Sequence, residues 1–175
     1  MPKITREDLS QNFHLLRTAP EKYLALAEEL VRADPEKPDG YWCRHMAFDS
    51  LKQYELSLAD LNKVLSLDQQ WINYECRGNA LRALGRYQEA LEDYNRAEAA
   101  NPEEWQGGFG RLFRAECHAR LGNESAALED CGALRDDHWT PGLLGAPAGN
   151  KDQVIAEVRR LAAGARTGRR RHIGS

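Results

Sequence analysis

Apolar residues return along the chain with a helical rhythm. Leu9, Phe13 and Leu16 fall on one stripe. Pro20 opens a second helix carrying Tyr23, Ala27 and Leu30, and Asp34-Pro35 stops it, because proline excludes the residue before it from helical geometry. Further on, Tyr74, Gly78 and Leu81 stand at i, i+4 and i+7, a stripe that faces a partner helix. Asn150 with Gln153 has the pattern of a capping box and opens a last helix through Val154, Val158 and Leu161.

The stripes repeat. A shift of 33 residues lays Tyr41, Cys43, Arg44, Ala47 and Leu51 over Tyr74, Cys76, Arg77, Ala80 and Leu84. The match continues through Tyr54, Leu58, Asp60 and Asn62 over Tyr87, Leu91, Asp93 and Asn95. At a shift of 37, Leu84-Gly85 and Ala90-Leu91-Glu92-Asp93 return as Leu121-Gly122 and Ala127-Leu128-Glu129-Asp130. The extra residues fall around Trp105 to Gly108. A period of this length is the mark of a stacked array of like units rather than of one irregular core.

The middle copy reads Tyr74, Gly78, Leu81, Gly85, Tyr87, Ala90, Tyr94, Ala97 and Pro102, and in this it resembles the tetratricopeptide repeat. Each residue type has a task. Gly78 costs its helix about 1 kcal/mol relative to alanine, which a close approach of the paired helix explains. Ala90 and Ala97 serve the same approach from the other side, Gly85 makes the turn, and Asn101-Pro102 ends the second helix. The neighbouring copies depart in places. His45 stands for Gly78 and Gln69 for Pro102 in one, and His118 for Leu81 and Glu124 for Tyr87 in the other.

The resemblance implies an all-α fold, a right-handed superhelical solenoid of antiparallel helix pairs with a C-terminal capping helix. The expected organisation is one domain over 1–165. Its repeats are 4–37 (degenerate), 38–70, 71–104 and 108–141, its capping helix 150–163, and a flexible basic tail follows over 166–175. Thr140 to Gly149, rich in glycine and proline, is the linker to the last helix.

In such arrays the first helices line a concave groove. The resemblance assigns to it Trp42, Met46 and Asp49, then Ile72, Glu75, Asn79 and Arg82, then Phe109, Phe113, Glu116 and Arg120. Large apolar groups beside arginine are good anchors for a peptide, and Asn79 and Arg82 could hold a backbone amide or carboxylate. The alternative is that the aromatics pack into the N-terminal pair or under the terminal helix. One subfamily clamps a C-terminal carboxylate with Lys, Asn and Arg at fixed positions. Those positions here hold Asp8, Asn12, Cys43, Ile72 and Cys76 over the first three repeats. Over the last three they hold Trp42, Met46, Cys76, Phe109 and Phe113. Only Asn12 fits, so a more apolar or mixed ligand is expected.

Composition narrows the function further. A net charge of -3 over 175 residues, with 29% charged, advertises neither a nucleic-acid nor a membrane surface. No apolar run approaches the ~20 residues of a membrane span, and the start lacks a secretory pattern, so the expectation is cytoplasmic. Cys43, Cys76, Cys117 and Cys131 form no Cys-x-x-Cys pair. The histidines are scattered. Cys117-His118 are sequence neighbours that diverge by about 100° on a helix, and Cys131 and His138 straddle a helix end. Gly107-Gly108-Phe109-Gly110 lacks the Lys-Ser/Thr of a phosphate loop and reads as a flexible joint. Arg169-Arg170-Arg171 lies in the tail as a solvated end, with contact to nucleic acid or an acidic partner as the alternative. No enzyme, metal or cofactor signature emerges. The expected role is an adaptor that binds another protein or peptide, with a homo-oligomer built through the terminal helix, Trp105 or Trp139 as the alternative.

Overall fold

The computed structural model describes residues 4–107, 109–134, 143 and 149–172, and among these the regular structure is helical. They divide into two compact units, 1–84 and 85–175. The first holds α1 (Arg6–Gln11), α2 (Leu15–Thr18), α3 (Pro20–Ala33), α4 (Pro38–Ser50), α5 (Tyr54–Leu67) and α6 (Trp71–Ala83). The second holds α7 (Tyr87–Ala100), α8 (Pro102–Gly107), α9 (Gly110–Arg120), α10 (Glu124–Gly132) and α11 (Lys151–His172).

Local chemistry sets the helix ends. Pro20 and Pro38 occupy the first turns of α3 and α4, where a missing N–H costs nothing. Thr5 and Asp8 form a capping box on α1, with the Thr5 amide donating to Asp8 Oδ2 at 2.8 Å. At α11 the box is Asn150 and Gln153, whose amides donate to each other's side-chain oxygens at 2.9 and 3.0 Å. Between paired helices one turn recurs. Lys52, Gly85 and Gly122 have φ of 58°, 76° and 81°, the left-handed region. Beside two of them the chain closes in the same way, with Gln53 and Asn123 donating to the carbonyls of Phe48 and His118 at 2.8 Å. This is the bond that ends a helix in a Schellman motif.

In the first unit α3 packs on α4, α4 on α5 and α5 on α6, so consecutive helices lie side by side. Leu9, Tyr23, Ala27 and Leu30 meet Cys43 and Ala47 in one buried cluster. The expected stripe through Leu9, Phe13 and Leu16 is interrupted, because the helix stops at Gln11 and resumes at Leu15. The side chain of Asn12 donates to the Asp8 carbonyl at 2.8 Å and so competes with the backbone for that acceptor. Leu9 is fully buried while Phe13 is left 57% exposed.

In the second unit α9 packs on α7, α10 and α11. Leu112, Ala115, Ala119, Ala127 and Cys131 meet Leu143 and one face of α11, made by Val154, Val158 and Ala162. The helix expected over 150–163 continues to His172, through the three arginines of the tail. The stretch read as a joint is bordered by helices on both sides, with Gly108 outside the described residues. Pro102–Gly107 is a short helix and Gly110 opens α9. Trp105 is fully buried, its ring centroid 5.8 Å from that of Tyr94. Among the described residues no helix is long and apolar enough to cross a membrane.

Candidate functional site

On α4 the residues Trp42, His45, Met46 and Asp49 follow the i, i+3, i+4, i+7 spacing of a single face. On α6 Ile72, Glu75 and Asn79 do the same. Trp42 and Ile72 line one cleft of about 110 Å³ within the first unit, together with Val64, Asp68 and Asn73. Both are half-buried. Trp42 and Met46 also rest on the Leu9–Tyr23 core, so each side chain has one side in the packing and another in the cleft.

The C-terminal half of this face is ionisable. Asp49 Oδ2 lies 3.6 Å from Nδ1 of His45, beyond hydrogen-bond reach, and His45 is 3% exposed, with both ring nitrogens unbonded among the described residues. The indole of Trp42 closes over it edge-on at 4.8 Å. Burial holds the Glu75 carboxyl above the usual carboxylate range. Burial likewise pushes the Cys76 thiol up to about 12, and the negative charges of Glu75 and Asp49 add to that rise. A thiol so raised is protonated and a poor nucleophile. Arg82 is 8% exposed, so it belongs to the packed side of α6 more than to an open face.

In the second unit Phe109 is 40% exposed and its ring centroid is 6.2 Å from that of Phe113, which packs on the α9–α11 core. Glu116 is fully buried and accepts from Arg120 Nη2 at 3.0 Å. The Arg120 guanidinium in turn lies 5.9 Å from the Tyr87 ring centroid. Glu116 and Arg120 are therefore held by each other.

Sequence reasoning matched Arg44 with Arg77 and Asp60 with Asp93 but did not pair the two series. Arg44 forks onto Asp60 with bonds of 2.8 and 2.6 Å, and Arg114 onto Asp130 with bonds of 2.9 and 2.6 Å. Arg114 also belongs to a second recurrence, which it shares with Arg77. Arg77 donates to Asn62 at 3.0 Å, and Arg114 to Asn95 at 3.1 Å. The signal was the constant spacing of 16 between each arginine and its aspartate.

No group of three or more His, Cys, Asp or Glu among the described residues could hold a metal. His138 and Trp139, singled out in the sequence, lie outside the described residues. Burial lowers the His118 pKa, and it raises that of the Cys131 thiol to about 11, so this thiol is protonated and a poor nucleophile.

Residues 72–104 match the family model of the tetratricopeptide repeat. The chain thus holds a tetratricopeptide repeat over these residues. Solved structures share its all-helical repeat fold. A crystal structure of MamA is 16% identical, covering 93% of this chain and 83% of its own at a TM-score of 0.69. YrrB, described as a tetratricopeptide-repeat protein with an unusual peptide-binding site, is 18% identical over 88% of this chain and 78% of its own, with a TM-score of 0.63. The first such domain of Spaghetti (RPAP3), solved with the HSP90 peptide SRMEEVD, is 24% identical over 59% of this chain and 84% of its own, with a TM-score of 0.52. No curated protein sequence matches the chain. At these identities the likeness is one of fold, and the tetratricopeptide helix pairs carry the features that distinguish this chain.

Proposed function

We propose that this tetratricopeptide-repeat chain is an interaction scaffold, a cytoplasmic adaptor that takes a peptide or protein segment against the α4–α6 face of its first unit. The observation that carries this reading is the cleft shared by Trp42 and Ile72, two large apolar groups left only half-buried on helix faces that end in polar groups. Such residues supply contact area that desolvates on binding. Phe109 and Phe113 offer a second apolar contact in the other unit. Two structural relatives are peptide binders by their descriptions, which favours the same use here. An acidic peptide such as SRMEEVD is not the expected ligand, since the one clamp residue found, Asn12, spends its amide on the Asp8 carbonyl.

Affinity capture from native extract tests the proposal, with wild-type chain and the Trp42→Ser and Ile72→Ser variants as baits. The wild type is expected to retain partners that both variants lose while their melts keep a cooperative transition. Equal retention by all three baits would refute it. Self-assembly is the alternative, and sedimentation at micromolar concentration separates the two. Of the tryptophans assigned to such a contact, Trp105 is fully buried and has no surface to offer a second copy.

A further inference from the structure

We infer that the segment bound in the Trp42–Ile72 cleft is an extended peptide that runs on across the Arg6–Asp39 ion pair into a second cleft. It sets one apolar side chain in each cleft and a lysine or arginine beside Asp68. This rests on the scaffold reading and adds the form and charge of the partner. The second cleft, about 230 Å³, lies within the first unit at the start of α1, the end of α3 and the start of α4, with Ile4, Leu30 and Ala33 as its apolar lining. Arg6 and Asp39 line both clefts, and their bond of 2.8 Å joins α1 to α4 on the boundary between them. The clefts are neighbours that share one wall.

That wall suits a backbone. Arg6 gives one nitrogen and Asp39 one oxygen to their bond, so the pair keeps donors and an acceptor for the carbonyl and amide of a chain crossing it. Successive side chains of an extended chain point to opposite faces, so residues two apart enter neighbouring clefts while the backbone between them passes the pair. The charges lining the clefts set the sign of the ligand. Arg6 is matched by Asp39, and Lys37 by Asp34 at 2.9 Å. Asp68 lines the cleft with Trp42 and Ile72, and among the described residues its carboxylate has no hydrogen bond or ion pair. It also caps the carbonyl end of α5, whose last turn holds no basic residue. Lys63, one turn further back, has its ammonium 5.9 Å from the Tyr41 ring centroid instead. An unmatched carboxylate at the negative end of a helix favours a cation on the ligand and repels an acid.

The test is selection of displayed random dodecapeptides on the full chain, followed by binding of the selected peptides to Trp42→Ser, Ala33→Gln and Asp68→Asn. Peptides selected by the wild type are expected to share two apolar positions and a Lys or Arg. Ala33→Gln, which fills the second cleft without adding charge, should bind them roughly tenfold or more weakly. Asp68→Asn should bind them about threefold more weakly at low salt, a loss that shrinks as salt is added. An alanine scan of the peptide on the wild-type chain gives the same answer without altering the fold: each apolar position should cost tenfold or more, and one of the two should cost nothing further on Ala33→Gln. If Trp42→Ser loses the peptides but Ala33→Gln or Asp68→Asn binds them as the wild type does, this inference falls while the scaffold stands. A dimer of the free chain that Trp42→Ser abolishes would make a second copy the occupant and would overturn it too. If the wild type selects nothing, both readings fall. A thermal melt of each variant confirms that folded proteins are compared.

Discussion

Arg44 and Asp60, sixteen positions apart, meet as a two-pronged ion pair between α4 and α5, with the carboxylate almost wholly covered. The second unit repeats this between α9 and α10, where Arg114 and Asp130 are both nearly buried. Arg114 carries more: it also bonds Glu98 and Asn95 and stacks on Trp105 with 5.7 Å to the centroid. A planar fork suits these contacts and a lysine would not reproduce them.

Removing one partner of such a pair leaves a covered charge alone. Asp130→Asn is therefore expected to lower the unfolding free energy by about 3 kcal/mol, with Glu98 limiting the loss. Arg44 keeps a quarter of its side chain in water, so Asp60→Asn should cost less, about 1–2 kcal/mol. Urea titration checks both, as a lower midpoint at unchanged slope.

The turn shared by the pairs predicts a gain. Lys52 occupies with a β-carbon the left-handed conformation that Gly85 and Gly122 occupy without one. Lys52→Gly should stabilise by roughly 0.5–1 kcal/mol, and Gly122→Ala should destabilise by a similar amount. The sign difference between the two melts is the measurement.

Gly110 lies directly under the buried indole of Trp105, and a β-carbon there would overlap the ring. Gly110→Ala is expected to cost about 1–3 kcal/mol, read as a lower urea midpoint, because a packed ring cannot yield as a flexible side chain would. A freely moving joint would tolerate the change.

Glu75 gives a pH dependence. Its carboxyl is held above the ordinary range by burial, so the folded chain binds that proton more tightly than the unfolded one. Its ionisation thus subtracts stability as pH rises from the ordinary carboxylate range through the raised value, and the penalty is complete above it. Glu75→Gln should raise the neutral-pH melting temperature, and the gain should fade as pH drops below the ordinary carboxylate range. A gain independent of pH would mean that charge is not its cause.

The helix pairs were legible because their signals are local and repeated. Tyr74, Gly78 and Leu81 mark a face, Gly85 a turn, and Asn150 with Gln153 a start, each through bonds within a few residues. What escaped was decided between helices or by competition. Asn12 breaks the first stripe by bonding a carbonyl that the pattern had assigned to the backbone. Trp105 reads as part of an insertion, yet its ring fills space above Gly110 that no periodicity encodes. The groove assignment was uneven for the same reason. Trp42 and Ile72 do share a cleft, whereas the residue type of Glu116 or Arg120 says nothing of the bond that each makes with the other.

The long last helix has a consequence for assembly. Val154, Val158 and Ala162 fill the side of α9 and α10 on which another helix pair would be laid, and α11 turns Asp152, Gln153, Arg159 and Arg160 outward. Laying another helix pair on that side of α9 and α10 would have to strip α11 away or bury that polar surface.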